Sequence, residues 1–341
     1  MAYHIELTEN PADYREHILR MWQEYLPDTP PRRYEWLTEG NPAGKAKWFL
    51  AIDEETGDLI GFITLLPRRF IYKGKDMLFG IMGDYVVEKM RRGFGPGMQL
   101  PKHVLERAKD LGFSLVYTIP YYNSLKPVVR AGFKLKIQLG WLIKPLLFNS
   151  YLDNPAAIKL LNLCASVFDR LCSALFLNPI VLRGCYFEAD AAIDSGFDEL
   201  WAKLKTAEKG VIGSRDPRYL AWRYMENPLM EFRMLAFRQK RPEALLGYII
   251  YTTSGGKLNI YDIQYHQRRY RILLIQKLVQ IAREEGCEAV YLLSSAGNKD
   301  LTALRAFGFV PRKEDHALYY AALGSGADLD TWSFFQGDRN V

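Results

Sequence analysis

Arg92-Gly93-Phe94-Gly95-Pro96-Gly97 lies between an apolar run, residues 77–87, and an amphipathic run, residues 98–111. This order predicts a strand, a glycine loop and a helix. Glycine lets the backbone turn tightly and lets a ligand approach it closely. The first N–H groups of a helix have no partner within the helix and, together with the helix dipole, favour an anion. The stretch therefore predicts a site for a phosphate-bearing ligand, to which Arg92 adds a full positive charge.

The loop by itself leaves two interpretations open. It is not a P-loop, because no Gly-Lys-Ser/Thr follows, and it is not the dinucleotide fingerprint, because the third glycine comes one residue early. On the loop alone, a tight strand–helix turn with nothing bound has about the same support as an anion site. The neighbouring residues are needed to decide between them.

Those neighbours resemble the GNAT N-acyltransferase superfamily. Its cofactor motif is Arg/Gln-x-x-Gly-x-Gly/Ala, which is matched here by Arg92, Gly95 and Gly97. A strand at residues 114–119, then Asn123, then a Gly-Phe pair at 132–133 follow in the order that the family shows. The resemblance covers about residues 50–133, and it implies acetyl-CoA or another acyl-CoA as the cofactor.

A second block of the chain repeats the first, at an offset of about 174 to 186 residues. Paired segments include Gly83-Asp84-Tyr85 with Tyr261-Asp262-Ile263, Gly132-Phe133 with Gly308-Phe309, and Asn123 with Asn298. Where the first copy has its glycine loop, the second reads Arg269-Tyr-Arg-Ile-Leu-Leu274, and side chains there would crowd a pyrophosphate. The sequence therefore predicts a mixed α/β fold of two tandem GNAT-like domains, the second of them degenerate.

The resemblance also implies roles for single residues. In the family, backbone N–H groups of the strand before the loop hold the pantetheine and the thioester carbonyl. The implied cofactor-binding residues are Tyr85, Val86, Val87, Arg92, Gly93, Phe94, Gly95, Pro96, Gly97 and Asn123. Asp84 is the implied general base, with Glu88 second, because strand alternation places Asp84 on the face of Val86. A structural role for Asp84 is the alternative, since Asp262 recurs in the copy that has no glycine loop.

The expected general acid is the clearest departure from the family. A tyrosine four residues before the Gly-Phe commonly protonates the leaving thiolate, and Val128 stands at that position. Tyr121 and Tyr122 lie just upstream, and we take Tyr122 as the candidate acid, with a plain surface tyrosine as the alternative. The resemblance therefore supports binding of CoA more firmly than it supports catalysis.

Three segments are predicted along the chain. Residues 1–145 form the acyl-CoA-binding domain, residues 146–190 an apolar helical connector, and residues 191–341 the degenerate domain. Residues 156–177 of the connector carry only Lys159, Asp169 and Arg170 as charges. Because a central Asp-Arg pair is costly in hydrocarbon, we expect a buried connecting helix rather than a membrane span. A helix that lies on a membrane surface is the alternative.

Composition restricts the partners. The net charge of +6 is mild and dispersed, so it permits an anionic ligand and does not predict a nucleic acid. The four cysteines have no metal-ligand spacing, so no metal is predicted, and they suit a reducing cytoplasm, as does the absence of a signal-peptide pattern in residues 1–10. The expected acceptor is a small-molecule amine. The oligomeric state is left open.

Residues 215–224 also bear on function. Their pattern, Arg-Asp-x-x-x-Leu-x-Trp-Arg-Tyr, resembles bacterial tandem GNAT-like proteins linked to surface polysaccharides, which implies transfer of an acyl group to an amino sugar. We expect Trp222, Arg223 and Tyr224 to pack rather than to bind substrate. The alternatives are a non-catalytic acyl-CoA-binding or scaffold protein and an aminoacyl-tRNA-dependent peptide ligase. The intact pyrophosphate loop argues against the ligase.

Overall fold

The computed structural model describes residues 2–92, 95–149, 151–208, 210–295, 299–324 and 331–339. Gly93, Phe94 and Asn298 lie outside the described residues. The strands and helices of the first copy are β1 Tyr3–Thr8, α1 Arg15–Tyr25, α2 Arg33–Thr38, β2 Lys47–Asp53, β3 Leu59–Tyr72, β4 Lys75–Val87, α3 Pro96–Ala108, β5 Leu115–Thr118, α4 Tyr122–Arg130 and β6 Lys134–Pro145.

A long helix, α5 Pro155–Phe176, connects the two copies. The second copy contains β7 Cys185–Ala189, α6 Ser195–Ala207, β8 Val211–Gly213, α7 Pro217–Leu220, β9 Arg233–Lys240, β10 Glu243–Ser254, β11 Lys257–Tyr265, α8 Arg268–Glu284, β12 Ala289–Ser295 and β13 Val310–Ala322. A 3₁₀ helix, Lys299–Phe307, takes the place that α4 has in the first copy. Apart from the additional strand β8, the order of elements repeats, as the sequence predicts.

All of these strands join one mixed sheet. Their order is β1-β2-β3-β4-β5-β13-β6-β12-β11-β10-β9-β7, with β8 paired to β3. Pairs β4–β5 and β11–β12 are parallel, and the other pairs are antiparallel. The architecture is the predicted mixed α/β fold, built as two tandem copies.

The two copies exchange their last strands. Strand β13, from the second copy, pairs with β5 of the first, and β6, from the first copy, pairs with β12 of the second. Strands β6 and β13 also pair with each other at the centre of the sheet. Each copy therefore completes the other's half of the sheet. The domain boundaries predicted at residues 145 and 190 remain predictions. They divide the chain in sequence order, whereas β6 and β13 each pair with strands of the other copy.

Helices cover both faces of the sheet. Leu100, Val104 and Ala108 of α3 recur every four residues and pack with Val116 of β5 and Phe133. Residues of α8 build the corresponding core on the second half. On the opposite face, α1, α2, α6 and α7 join residues 332–334 in a core shared by the two copies. This shared core fixes the two halves of the sheet against each other.

The expectation that the connector is buried is wrong for one side of α5. Only Asp169 and Cys172 of this helix are buried. The apolar side chains on its outer face are exposed, because the helix lies on α8 at the surface and nothing in the described chain covers it. In the part of the chain that the structure describes, no helix is long and apolar enough to cross a membrane.

Candidate functional site

A cleft opens where β4 and β5 separate. These parallel strands pair only from Phe79 to Ile81 on β4. A β-bulge follows on β4, where Asp84 and Tyr85 together oppose Ile63 of β3, and Asp84 has a φ of 45°. Because a bulge bends its strand, β4 turns away from β5. The space between the two strands is a cavity of about 160 Å³.

The wall of this cleft contains both apolar and polar residues. The apolar lining residues are Leu26, Ile63, Met82, Ile119, Pro120 and Val128. The polar ones are Asp84, Tyr85, Thr118, Tyr121, Ser124 and Arg339. Val128, at the position where the family commonly has tyrosine, is a buried packing residue here. Arg339 comes from the end of the second copy, so both copies build the cleft.

The glycine loop leads from the end of β4 into α3. Gly95 precedes the helix with φ 58° and ψ −125°, a conformation that favours glycine, and its carbonyl accepts from the N–H groups of Met98 and Gln99. A Cβ at this position would lie 3.3 Å from the ring of Tyr3. Among the described residues, no side chain caps the helix. Its N-terminus therefore keeps donors for an anion, which fits the pyrophosphate of an acyl-CoA.

Arg92 and Tyr85 tie this loop to the splayed strand. The Nε of Arg92 donates to the carbonyl of Val87 at 2.9 Å, and its guanidinium lies 4.7 Å from the ring centroid of Tyr25. The Tyr85 hydroxyl donates to the carbonyl of Gly97. Burial raises the pKa of Tyr85, so this hydroxyl stays protonated as a donor. The loop, its arginine and the strand thus form one unit at the mouth of the cleft.

Most of the predicted cofactor residues come together in this unit. Tyr85, Val86 and Val87 lie on the splayed end of β4, and Pro96 and Gly97 form the first turn of α3. Asn123 is exposed in the first turn of α4, next to Ser124, which lines the cleft. Their roles in binding remain predictions.

Asp84 is held in a buried ion pair. Its carboxylate accepts from the Nε and Nη2 of Arg33 at 2.9 and 3.0 Å, and from the hydroxyl of Thr64 at 3.1 Å. The side chain is only 4% exposed. Taking a proton from a substrate would break this pair. The structure thus gives Asp84 a structural function beside the predicted catalytic one.

Asp262 is held in the same way in the second copy. It is fully buried, pairs with Arg215, and accepts from the Tyr224 hydroxyl and from Gln264 at 3.0 and 2.9 Å. An aspartate at the bulge therefore binds an arginine in both copies, whether or not a glycine loop follows. This recurrence favours a shared structural role for Asp84.

The other two predicted catalytic residues lie at the edge of the site. The Glu88 side chain is 40% exposed, and its carboxylate lies 4.0 Å from Arg91. Tyr122 is 90% exposed and does not line the cleft. Tyr121, immediately before it, does line the cleft. Of the two tyrosines that the sequence left open, Tyr121 is thus the one in contact with the cavity.

A glutamate–histidine pair stands beside Tyr121, and the sequence analysis did not identify it. The Nδ1 of His316 lies 2.8 Å from a carboxylate oxygen of Glu314. The Trp141 indole N–H also donates to this carboxylate, and the ring of His316 meets Tyr121 edge-on at 5.1 Å between centroids. The exchanged strand β13 thus carries a titratable pair to the mouth of the first copy's cleft.

The environment of Glu314 keeps the carboxylate ionised. Burial would raise its pKa, but the hydrogen bonds from His316 and Trp141 outweigh burial and lower the pKa. An ionised Glu314 accepts the Nδ1–H of His316 and leaves the Nε2 lone pair free to take a proton. The only sequence signal for this pair was the spacing of two residues between Glu314 and His316. In a strand this spacing places both side chains on the same face.

The corresponding region of the second copy is built differently. Helix α8 begins directly at Arg268, so Arg269 to Leu274 are helical where the first copy has a loop. Residues 336–338 contact β11 and β12, and the Ser295 hydroxyl donates to the carbonyl of Trp332. A Cβ at Gly337 would lie 2.0 Å from the Tyr224 hydroxyl oxygen. In the second copy, this C-terminal segment of the chain thus occupies the region that corresponds to the cleft of the first copy.

Trp222, Arg223 and Tyr224 pack as expected. All three are buried between the copies. The Nε of Arg223 donates to the carbonyl of Gly337 at 3.2 Å. Just before them, Asp216 caps the short helix α7 by accepting from the N–H of Tyr219.

A family model described as the Acetyltransferase (GNAT) family matches residues 11–127. Residues 11–127 of the chain are a GNAT-family domain. The match ends at Pro127, so it covers the glycine loop and the splayed strands of the first copy. No curated protein matches the sequence.

Several solved structures share the fold over nearly the whole chain. A probable N-acyltransferase from Enterococcus faecalis V583 has a TM-score of 0.68 at 11% identity, over 95% of this chain and 73% of that one. A tandem GNAT protein from the clavulanic acid biosynthesis pathway has a TM-score of 0.54 at 15% identity, over 95% and 100%. Saccharomyces cerevisiae N-myristoyltransferase with bound myristoyl-CoA has 0.58 at 12%, over 97% and 84%. At these identities the likeness concerns the fold.

Proposed function

We propose that the protein is an acyl-CoA-dependent N-acyltransferase that uses the first copy to bind acetyl-CoA or another acyl-CoA. The observation that carries this proposal is the pairing of an uncapped α3 N-terminus, preceded by Gly95, with a cleft between splayed strands. The matched family and the myristoyl-CoA-bound structural neighbour support the same cofactor class. The acceptor is an amine of a small molecule or an amino sugar.

The reaction forms one bond and breaks one. The amine nitrogen attacks the thioester carbonyl carbon, the C–N bond forms, and the C–S bond breaks. A base takes the proton lost by the amine, and an acid returns a proton to the CoA thiolate. Backbone N–H groups of the β4 bulge, at Tyr85 to Val87, polarise the carbonyl.

We assign the base to His316, oriented by Glu314, and the acid to Tyr121. His316 has a nitrogen free to take a proton, whereas both oxygens of Asp84 already accept hydrogen bonds from Arg33. Tyr121 lines the cleft and contacts the ring of His316. Asp84, Glu88 and Tyr122 remain the alternatives for these roles.

A non-catalytic acyl-CoA-binding protein is the second candidate function. Val128 favours it, because this buried side chain replaces the acid that the family commonly carries. An aminoacyl-tRNA-dependent ligase would not use CoA and would need no pyrophosphate loop. The glycine loop therefore argues against this third function.

The test combines binding and turnover. Acetyl-CoA is titrated into the purified protein by calorimetry, and thiol release is then followed with a panel of small-molecule amines and amino sugars. We expect saturable binding that Gly95→Trp abolishes, and transfer to at least one amine. Binding without transfer to any amine would support the second candidate. Absence of binding in both proteins would refute the cofactor assignment.

A further inference from the structure

The polarity of α5 is inverted relative to an ordinary surface helix. Its buried charge, Asp169, faces the protein and pairs with Lys144 at 2.7 Å and with Arg283 at 2.7 Å. Its outer face carries apolar residues at intervals of three and four, which places them in one stripe. These residues are Leu160, Leu163, Val167, Leu171 and Leu175, and they are 46–66% exposed.

Exposed apolar side chains are concentrated around this helix. Among the described residues, eleven of the nineteen large apolar side chains that are exposed lie between Tyr151 and Val181. Ile180, just beyond the helix, is 87% exposed. A soluble surface rarely carries so large a contiguous apolar patch without a partner. The outer face of α5 and residues 177–181, called here the apolar face, is therefore a docking surface.

A cavity with a basic rim adjoins the apolar face at the end of α5. Its volume is about 470 Å³. Its apolar wall contains Phe176, Val181, Phe237, Ile272 and Leu273. Three arginines line it as well, Arg183, Arg241 and Arg269, from three separate parts of the chain. Within the described ranges, none of the three has a carboxylate closer than the 4.0 Å of a salt bridge.

The charges identify the partner. Between residues 151 and 183, the exposed charged residues are Lys159, Arg170 and Arg183 and one acid, Asp153, so cations predominate because Asp169 is buried. A second copy docked through the same face would bring like charges together, which opposes association. A lipid bilayer with anionic headgroups fits instead, since acyl chains accept the leucines and phosphates pair with the arginines.

We propose that the apolar face and the three-arginine rim bind the surface of an anionic lipid bilayer, with α5 lying in the plane of the interface. The leucines enter the acyl region, and Lys159 and Arg170 reach back to the headgroups by their long stems. A lipid phosphate lies between Arg183, Arg241 and Arg269, and part of an acyl chain enters the apolar cavity. Arg241 and Arg269 supply basic charge that the helix alone lacks.

Vesicle co-sedimentation tests this proposal. The wild-type chain is centrifuged with vesicles of phosphatidylcholine alone and with vesicles in which a third of the lipid is phosphatidylglycerol. One variant, R183S/R241S/R269S, removes the rim, and another, L163E/L171E, places charges on the apolar face. The control K45S/K75S/K102S removes the same net charge from exposed positions elsewhere. Circular dichroism checks that every variant folds.

We expect binding only to the anionic vesicles. The rim variant should lose about fivefold in partitioning for each arginine removed. L163E/L171E should not bind, and the control should bind like the wild type. The proposal is overturned if the wild type binds neither vesicle, or if the control loses as much binding as the rim variant. If the wild type is instead a dimer that L163E/L171E makes monomeric, the face is an interface between copies.

Discussion

Trp36 and Trp222 stack face to face between the two copies, with ring centroids 4.3 Å apart and planes 10° apart. Each indole N–H donates to the backbone carbonyl of the other residue, at 2.9 and 3.1 Å. The contact is reciprocal, as at a twofold axis, because the two tryptophans occupy equivalent places. Residues 31–42 and 217–228 share Pro, Arg, Trp, Asn and Pro at identical spacing. This part of the repeat lies outside the paired segments named above.

This reciprocity predicts that the two tryptophans contribute equally to stability. Trp36→Ala and Trp222→Ala should each lower the free energy of unfolding by about 3–5 kcal/mol, because each leaves a cavity and an unpaired carbonyl. Urea unfolding measures both, and the double variant should cost less than the sum of the two. Tyr122→Ala, at an exposed position, is the control. Clearly unequal single losses would refute the equivalence.

The Asp84–Arg33 pair predicts a stability effect that is separable from catalysis. Asp84→Ala should lower the free energy of unfolding by about 3–5 kcal/mol, because it removes the carboxylate that accepts two hydrogen bonds from the buried Arg33 guanidinium. The double variant D84L/R33M should recover most of this loss. If that double variant folds and keeps the rate of acyl transfer, Asp84 is structural. If it folds and is inactive, the predicted role as a base stands.

His316→Gln should lower kcat by about 10²–10⁴ and leave acyl-CoA binding unchanged, because glutamine cannot take the amine proton. Glu314→Gln should have a smaller effect on kcat, through loss of the orientation of the imidazole. Steady-state kinetics measures both, and His266→Gln, at an exposed histidine, is the control. If His316→Gln keeps the kcat of the wild type, His316 is not the general base, and Asp84 or Glu88 takes that assignment.

Gly95→Ala should weaken acetyl-CoA binding. Alanine at the φ and ψ of Gly95 costs about 1–3 kcal/mol, so the loop shifts away from its present shape. Gly57 is a matched control, since its φ of 75° also favours glycine but it lies in the β2–β3 turn with nothing within 4 Å of an added Cβ. Gly57→Ala should lower thermal stability and leave the Kd of acetyl-CoA unchanged. Equal effects of both variants on the Kd would contradict the assignment of the loop.

The lowered pKa of the buried Asp338 carboxyl group leads us to expect a loss of stability in acid. Burial alone would raise its pKa, but the guanidiniums of Arg215 and Arg68 hold it below the usual range. A depressed pKa in the folded state stabilises the fold above the pKa of unfolded aspartate, about 3.9. The free energy of unfolding should therefore fall as the pH drops below about 4. Asp338→Asn should be less stable at neutral pH and show a flatter acid limb, whereas Asp76→Asn, at an exposed position, should match the wild type.

Much of the first copy was predictable from local sequence. The glycines of the loop and the spacing of Leu100, Val104 and Ala108 require a turn and an amphipathic helix whatever the rest of the chain does. Both ends of the helix differ from the predicted run of residues 98–111: the helix begins at Pro96, because proline fits a first turn, and it ends at Ala108. The repeat was visible for the same reason, since each copy must satisfy the same local constraints.

By itself, the sequence determined the tandem α/β fold, the glycine loop at the start of α3 and the loss of that loop from the second copy. Tertiary structure alone decided which side chains meet at the cleft. The exchange of β6 and β13 brings His316 and Glu314 to Tyr121 from almost two hundred residues away, and the Arg33 ion pair occupies the carboxylate of Asp84. Such contacts depend on strand pairing between distant segments, and periodicity along the chain carries no information about which strands pair.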